Sequence, residues 1–114
     1  MSKVSDAFKN GKAFIAFVTG GDPDLEITQK LIIEMEKNGA DIIEVGIPFS
    51  DPTADGPVIQ DASYRSICKG TNLKGVFAAV EEVRKDCDVP LVFMMYYNTI
   101  LYYGVDAFAR KCAE

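Results

Sequence analysis

Apolar positions fall into three short uninterrupted runs, separated by stretches in which they recur at helical spacing, and that rhythm predicts alternating strands and helices. The runs at residues 13–18, 42–45 and 91–95 are continuous rather than alternating, which predicts parallel strands covered on both faces. Between the first two, residues 24–38 place Ile27, Leu31, Ile32 and Met35 on one helical stripe, with Gly39 to end it. Either Asp22 ahead of Pro23 or Asp24 can cap that helix. The result is a β-α-β unit of ordinary length. Residues 59–67 predict a short helix with one mildly apolar side. Past Lys69-Gly70, a clearer helix begins near Thr71 or Asn72 and carries Leu73, Val76, Phe77, Val80 and Val83. Pro90 can open the third strand, where a missing N–H matters least; Tyr96, Tyr97 and Asn98 follow that strand directly. Residues 105–114 predict a last helix through Val105, Phe108, Ala109 and Cys112, and residues 2–10 a short amphipathic one with Val4, Ala7 and Phe8 on one side.

Repeated strand–helix crossovers leave two classes, a doubly wound sheet or a β/α barrel. Gly20 and Gly21 are adjacent and the next glycine is Gly39, so the G-x-G-x-x-G fingerprint is absent after the first strand, which counts against a dinucleotide fold. A barrel would gather Thr19, Gly20, Glu44, Asp55, Tyr96 and Asn98 at the C-terminal ends of its strands. Eight units do not fit in 114 residues, since a whole barrel takes about 250.

Composition narrows the functional classes. With 48% apolar and 25% charged residues the chain has the balance of a soluble globular domain. A net charge of -5 without a local Lys/Arg cluster disfavours nucleic acid and anionic membranes as partners. Histidine is absent, which excludes imidazole catalysis and the common His-containing zinc sites. Cys68, Cys87 and Cys112 lack metal or redox spacing and fit a reduced cytoplasmic setting. No run reaches the length of a spanning helix, and Met1-Ser2-Lys3-Val4-Ser5-Asp6 is too polar to open a signal peptide. The expectation is a soluble, cytoplasmic protein.

Chemistry concentrates around the second strand. Glu44 stands among apolar neighbours and must be paired, protonated or facing a cavity. A carboxylic acid in an apolar pocket titrates nearer neutrality and can both give and take a proton; the plainer reading is a carboxylate paired with a lysine or with backbone N–H groups. Asp55, in a Gly/Pro-rich loop, could fix a ligand donor or simply bond nearby backbone. Asp51, between Ser50 and Pro52, is more simply a turn residue. Phe17, Met94, Tyr96 and Tyr97 could line a planar apolar ligand or fill a core, the second being stronger for Phe14 and Phe93. Asp22, Asp24, Glu34 and Glu36 read as caps and solvated helix face, with no metal constellation among them.

Phe17-Val18-Thr19-Gly20-Gly21-Asp22-Pro23 is followed, in order, by the long block from Gly39 through Glu44-Val45-Gly46-Ile47-Pro48-Phe49-Ser50-Asp51-Pro52-Thr53-Ala54-Asp55-Gly56-Pro57 to Gln60. Met95-Tyr96-Tyr97-Asn98 and Gly104-Val105-Asp106-Ala107-Phe108 come after it. Together these resemble the N-terminal part of the tryptophan synthase alpha subunit family, over essentially the whole chain. The resemblance implies an α/β fold: the first three βα units of a (β/α)8 TIM barrel preceded by a short helix, one partial domain over residues 1–114 with no complete second domain. It implies a lyase of tryptophan biosynthesis that cleaves indole-3-glycerol phosphate by a retro-aldol reaction. Glu44 matches the family's general acid/base and Asp55 the carboxylate that holds the indole N–H. Phe17 and Met94 match indole-pocket positions, Met94 standing where leucine is common, and Tyr96 joins that pocket. Pro48, Phe49, Ser50, Asp51 and Pro52 match the loop that faces a beta subunit in an alpha2-beta2 complex. Pyridoxal phosphate belongs to that partner, so no cofactor is expected here. Strands four to eight, with their phosphate-binding loops, have no counterpart in the sequence. For residues 1–114 alone, the alternative is a catalytically incomplete structural fragment or an oligomerising βα module.

Overall fold

In the computed structural model, which describes residues 3–114, each apolar run becomes a strand of one parallel sheet. β1 (Ile15–Thr19), β2 (Ile42–Gly46) and β3 (Leu91–Met94) lie in the order β1-β2-β3. The register sets Phe17 opposite Glu44, and Glu44 opposite Val92. The helices are α1 (Lys3–Asp6), α2 (Leu25–Lys37), α3 (Pro57–Cys68), α4 (Leu73–Val83), α5 (Tyr97–Tyr103) and α6 (Val105–Ala113).

Strand alternation decides which face is core. Ile43, Val45 and Ile47 of β2 and its extension pack with Ile32 of α2 and with Val76, Phe77 and Val83 of α4, and α2 and α4 lie side by side over them. Each such side chain contributes about 1.5–3 kcal/mol on burial. Glu44 and Gly46 alternate to the opposite, inner face. Phe77 also meets Phe93 of β3 edge-on at 5.3 Å, and Tyr103 and Phe108 at 5.7 and 5.8 Å, which docks α5 and α6 against α4. Lys111 of α6 bridges Glu81 of α4 and Glu114, whose carboxylates hold its ammonium charged.

Several local expectations need correction. β1 is not covered on both faces: Phe14 is 61% and Ile15 44% exposed, because β1 is an edge strand, paired with β2 alone among the described residues. The helical stripe of α2 is rotated. Thr28 and Ile32 are its buried residues, with Leu25, Ile33 and Met35 against the core, while Ile27 and Leu31 are only half-buried. Thr28 turns inward because its hydroxyl accepts the Gly21 N–H at 2.9 Å and donates to the Asp24 carbonyl at 2.9 Å. Asp24, not Asp22, caps the helix, accepting from the Ile27 N–H at 2.8 Å. At the other end Gly39, at φ 99°, lets the Ala40 N–H reach the Met35 carbonyl at 2.9 Å and closes α2. α3 begins two residues earlier than predicted because Pro57 suits a first helical position. α5 was not predicted at all. The helix predicted over residues 2–10 begins at a residue outside those described; from Lys3 it is one turn, with no buried residue, that tightens into Phe8 N–H to Ser5 and Lys9 N–H to Asp6 bonds of 3.3 and 3.2 Å.

The turn after β1 is tied to α3 by one buried hydrogen bond and one exposed ion pair. Ser66 donates its hydroxyl to the Gly20 carbonyl at 2.7 Å, and Arg65 makes a bidentate pair with Asp22 through bonds of 2.9 and 2.8 Å. Those hydrogen bonds hold the Asp22 carboxyl below the usual carboxylate range against the opposing effect of burial, with the guanidinium charge adding the least. A depressed folded pKa means stability that is present above the ordinary carboxylate pKa of about 3.9 and is lost as pH falls through the lowered value. With the Arg65 side chain 57% exposed, screening limits the pair to about 1 kcal/mol. Urea unfolding at pH 7 should therefore show Arg65→Met destabilised by up to that amount. The gap should narrow toward pH 3 and below; a gap constant from pH 7 to pH 2 would contradict the assignment.

Candidate functional site

The C-terminal ends of the strands enclose a cavity of about 240 Å³ on the inner side, lined by Phe17, Gly46, Ile47, Ala54, Asp55, Ile59, Ser63, Met94, Met95 and Tyr96. Three elements build it. Phe17 comes from β1, and a Cβ on Gly46 would stand 2.8 Å from its ring, so glycine at that place lets the aromatic lie flat across β2. Met94 ends β3 and is 49% exposed toward the cavity side. α3 supplies the third wall, and its small buried residues Ala62, Ser63 and Ser66 let it come close to the strand ends.

Glu44 occupies the inner face beside this cavity rather than in its wall. Its register partners are Phe17 on one side and Val92 on the other, and it is half-buried. No hydrogen bond or ion pair engages its carboxylate among the described residues. Neither the lysine partner nor the backbone cap of the plainer reading is present there, which leaves the open inner face as its environment.

The loop after β2 carries Asp55 to the cavity. A turn closes it, with the Asp55 N–H donating to the Pro52 carbonyl at 3.1 Å and the Thr53 N–H to Asp51 at 2.8 Å. Gln60, in the first turns of α3, donates to the Asp55 carbonyl at 2.7 Å. Tyr96 reaches in from the end of β3: its hydroxyl accepts the Ala54 N–H at 2.8 Å and donates to Asp55 Oδ2 at 3.3 Å. Pro48, Phe49 and Pro52 are half-buried, whereas Ser50 and Asp51 are exposed.

Of the residues expected to converge, Phe17, Asp55, Met94 and Tyr96 share the cavity and Glu44 adjoins it. Thr19 and Gly20 do not: both are buried in the β1 turn, where the Gly20 N–H donates to the Gly46 carbonyl at 2.8 Å. Asn98 and Tyr97 are exposed on the first turn of α5, which starts immediately after Tyr96 and carries them away. Ile59, Ser63, Met95 and Gln60 were not singled out in the sequence; the closely spaced small residues on α3 were the available signal for a helix approaching the site.

A larger cavity, about 660 Å³, lies behind the sheet between α4, β3 and α6, lined by Phe77, Phe93, Phe108 and their neighbours. It contains neither Glu44 nor Asp55; Phe77 and Phe93 of the helix-side core line it together with the charged Glu81, Arg84 and Lys111. The three cysteines are free; burial, and second a hydrogen bond with Glu36, push the Cys87 thiol up. Among the described residues no group of His, Cys, Asp and Glu could hold a metal ion, and no helix is long and apolar enough to cross a membrane.

The family model for the tryptophan synthase alpha chain matches residues 4–114. This chain belongs to that family. The alpha chain of Petrotoga mobilis is 56% identical over 114 residues, all of this chain and 44% of its own length; that of Lacticaseibacillus casei is 52% identical, over 43% of its length. The chain thus spans less than half the length of the curated relatives it matches. Among solved structures, the alpha subunit from Legionella pneumophila superposes with a TM-score of 0.95 at 36% identity, covering 99% of this chain and 45% of that one. Tryptophan synthase from M. tuberculosis in its aminoacrylate-bound form gives 0.90 at 36% identity, covering 99% and 48%. The three parallel strands and their helices are accordingly a partial (β/α)8 barrel, and the cavity lies at the strand ends where barrels of this kind keep their sites.

Proposed function

We propose that the whole protein is a carbon–carbon lyase that cleaves indole-3-glycerol phosphate to indole and glyceraldehyde 3-phosphate, with Glu44 as general acid/base and Asp55 as the partner of the indole N–H. The observation that carries this reading is the juxtaposition of an unpartnered carboxylate, Glu44, with Phe17 on the inner face, next to a cavity walled by a second carboxylate and by apolar side chains. At about 240 Å³ the cavity is below the roughly 300–1,000 Å³ of drug-sized sites, which suits one bicyclic aromatic ring.

In this scheme protonated Glu44 delivers its proton to the substituted ring carbon of the indole. Positive charge then develops at the ring nitrogen, where Asp55 accepts the N–H and stabilises it. The Glu44 carboxylate takes the proton from the side-chain hydroxyl next to that carbon. As the hydroxyl carbon becomes an aldehyde, the carbon–carbon bond breaks and its electron pair returns to the ring, restoring neutral indole with the new hydrogen in place. Glu44 ends the cycle protonated, so no proton is gained or lost overall. Phe17 and Met94 hold the ring plane, and Phe49, Ser50 and Asp51 present the loop to a beta subunit that takes up the indole.

The test is indole release from indole-3-glycerol phosphate by the whole protein, alone and with a tryptophan synthase beta subunit. Indole and glyceraldehyde 3-phosphate should appear in equal amounts, faster with the partner. Asp55→Asn should lower turnover by about 10–10²-fold, the worth of one hydrogen bond to a charged group. Wild-type protein that is folded but releases no indole would exclude the reading.

A further inference from the structure

Tyr96 touches the β2–α3 loop at three points. Its ring stacks on Phe49 with centroids 5.0 Å apart and planes 22° from parallel, and its hydroxyl meets both Ala54 and Asp55 at 2.8 and 3.3 Å. We propose that Tyr96 is the positioning residue of the site, setting the Asp55 carboxylate through its hydroxyl and coupling it to the 48–52 loop through its ring. This rests on the functional reading above and assigns Tyr96 an action through Asp55, distinct from forming a wall of the pocket.

The direction of the hydrogen bonds follows from chemistry. A phenol has one proton to give, and the Ala54 N–H can only donate, so the Tyr96 oxygen accepts there and its proton is left for Asp55. The loop backbone is already fixed by the turn at Pro52 and by Gln60 on the Asp55 carbonyl. Among the described residues the Asp55 carboxylate itself is bonded only by Tyr96. At 3.3 Å that bond is longer than the roughly 2.5–2.7 Å of an O–H···O⁻ bond at its optimum. The carboxylate is therefore guided with travel remaining, and a shift of Phe49 moves the Tyr96 ring and changes that distance. A ligand or partner pressing on the exposed Ser50 and Asp51 acts on Asp55 along this line.

The experiment uses the whole protein, isotope-labelled, as wild type, Tyr96→Phe, Asp55→Ala and the double variant. Tyr96→Phe keeps the ring and the Phe49 stack, so the fold is preserved. The Ala54 amide should exchange about tenfold faster and the Asp55 carboxyl carbon signal should move, because both hydrogen bonds are gone. Turnover should fall about tenfold with KM changed far less, and in the Asp55→Ala background the same substitution should cost less than about twofold, since a residue acting through Asp55 has nothing left to position. Equal losses in the two backgrounds would overturn the proposal, as would an unchanged Ala54 exchange rate. If wild type releases no indole the functional reading fails separately. The Ala54 and Asp55 signals then decide alone: movement supports the positioning role of Tyr96, and no movement overturns it.

Discussion

Glu44→Gln is expected to lower the turnover of indole-3-glycerol phosphate by about 10²–10⁴-fold, the usual worth of a positioned general acid/base, while leaving the fold intact. Both halves follow from the same geometry. The carboxylate is half-buried on the inner face between Phe17 and Val92 and bonds to no described group, so an amide of nearly the same shape breaks no structural contact. Unfolding free energies of variant and wild type from urea titration should agree to within about 0.5 kcal/mol. An amide has no proton to deliver to carbon and cannot recover one from the hydroxyl, so the chemical step loses both transfers. Full indole production by a correctly folded Glu44→Gln protein would remove the residue from the mechanism.

The second large effect concerns stability. Gly21 has φ 81°, and a Cβ there would stand 2.3 Å from Thr71 Oγ1 and 2.4 Å from Ser66 Oγ. Ser66 is fully buried and its hydroxyl is committed to the Gly20 carbonyl at 2.7 Å, so turning it away would orphan a buried acceptor. Gly21→Ala is expected to cost roughly 2–5 kcal/mol, combining overpacking with a left-handed backbone, out of the 5–15 kcal/mol typical of a domain. Gly39 gives the comparison: its φ is 99° but nothing lies within 4 Å of the added carbon, so Gly39→Ala carries the backbone cost alone, about 1–2 kcal/mol. Urea unfolding of the two variants separates the effects, and equal losses would show that the turn after β1 can open to admit a methyl group.

The strands and the longer helices were legible because their signals are local. Continuous apolar runs place β1, β2 and β3 within one or two residues, and Asp24, Gly39 and Asn72 mark helix ends that the structure uses as caps or terminators. Which face of an element is covered was less legible, since that depends on neighbours far along the chain. The apolar run of β1 does not reveal that its neighbour on one side is absent among the described residues, and Thr28 turns inward only because Gly21 needs an acceptor. α5 escaped notice because Tyr97, Leu101 and Tyr102 are exposed and form no buried stripe. The candidate site was legible in its residue types and not in its wiring. Glu44, Asp55, Phe17 and Met94 stand out as a carboxylate pair and apolar walls, but the bond from Tyr96 to Asp55 spans 41 residues, and no local pattern encodes it.

The central claim, that Glu44 and Asp55 act on one indole ring held against Phe17, is tested most directly by a crystal structure of the whole protein with indole-3-glycerol phosphate or an unreactive analogue bound. The account predicts the ring in the cavity between Phe17 and Met94, its N–H within about 2.6–3.2 Å of an Asp55 carboxylate oxygen, and the substituted ring carbon facing Glu44. A ligand seated elsewhere, or one in this cavity with its nitrogen turned from Asp55 and its reacting carbon beyond the reach of Glu44, would contradict it.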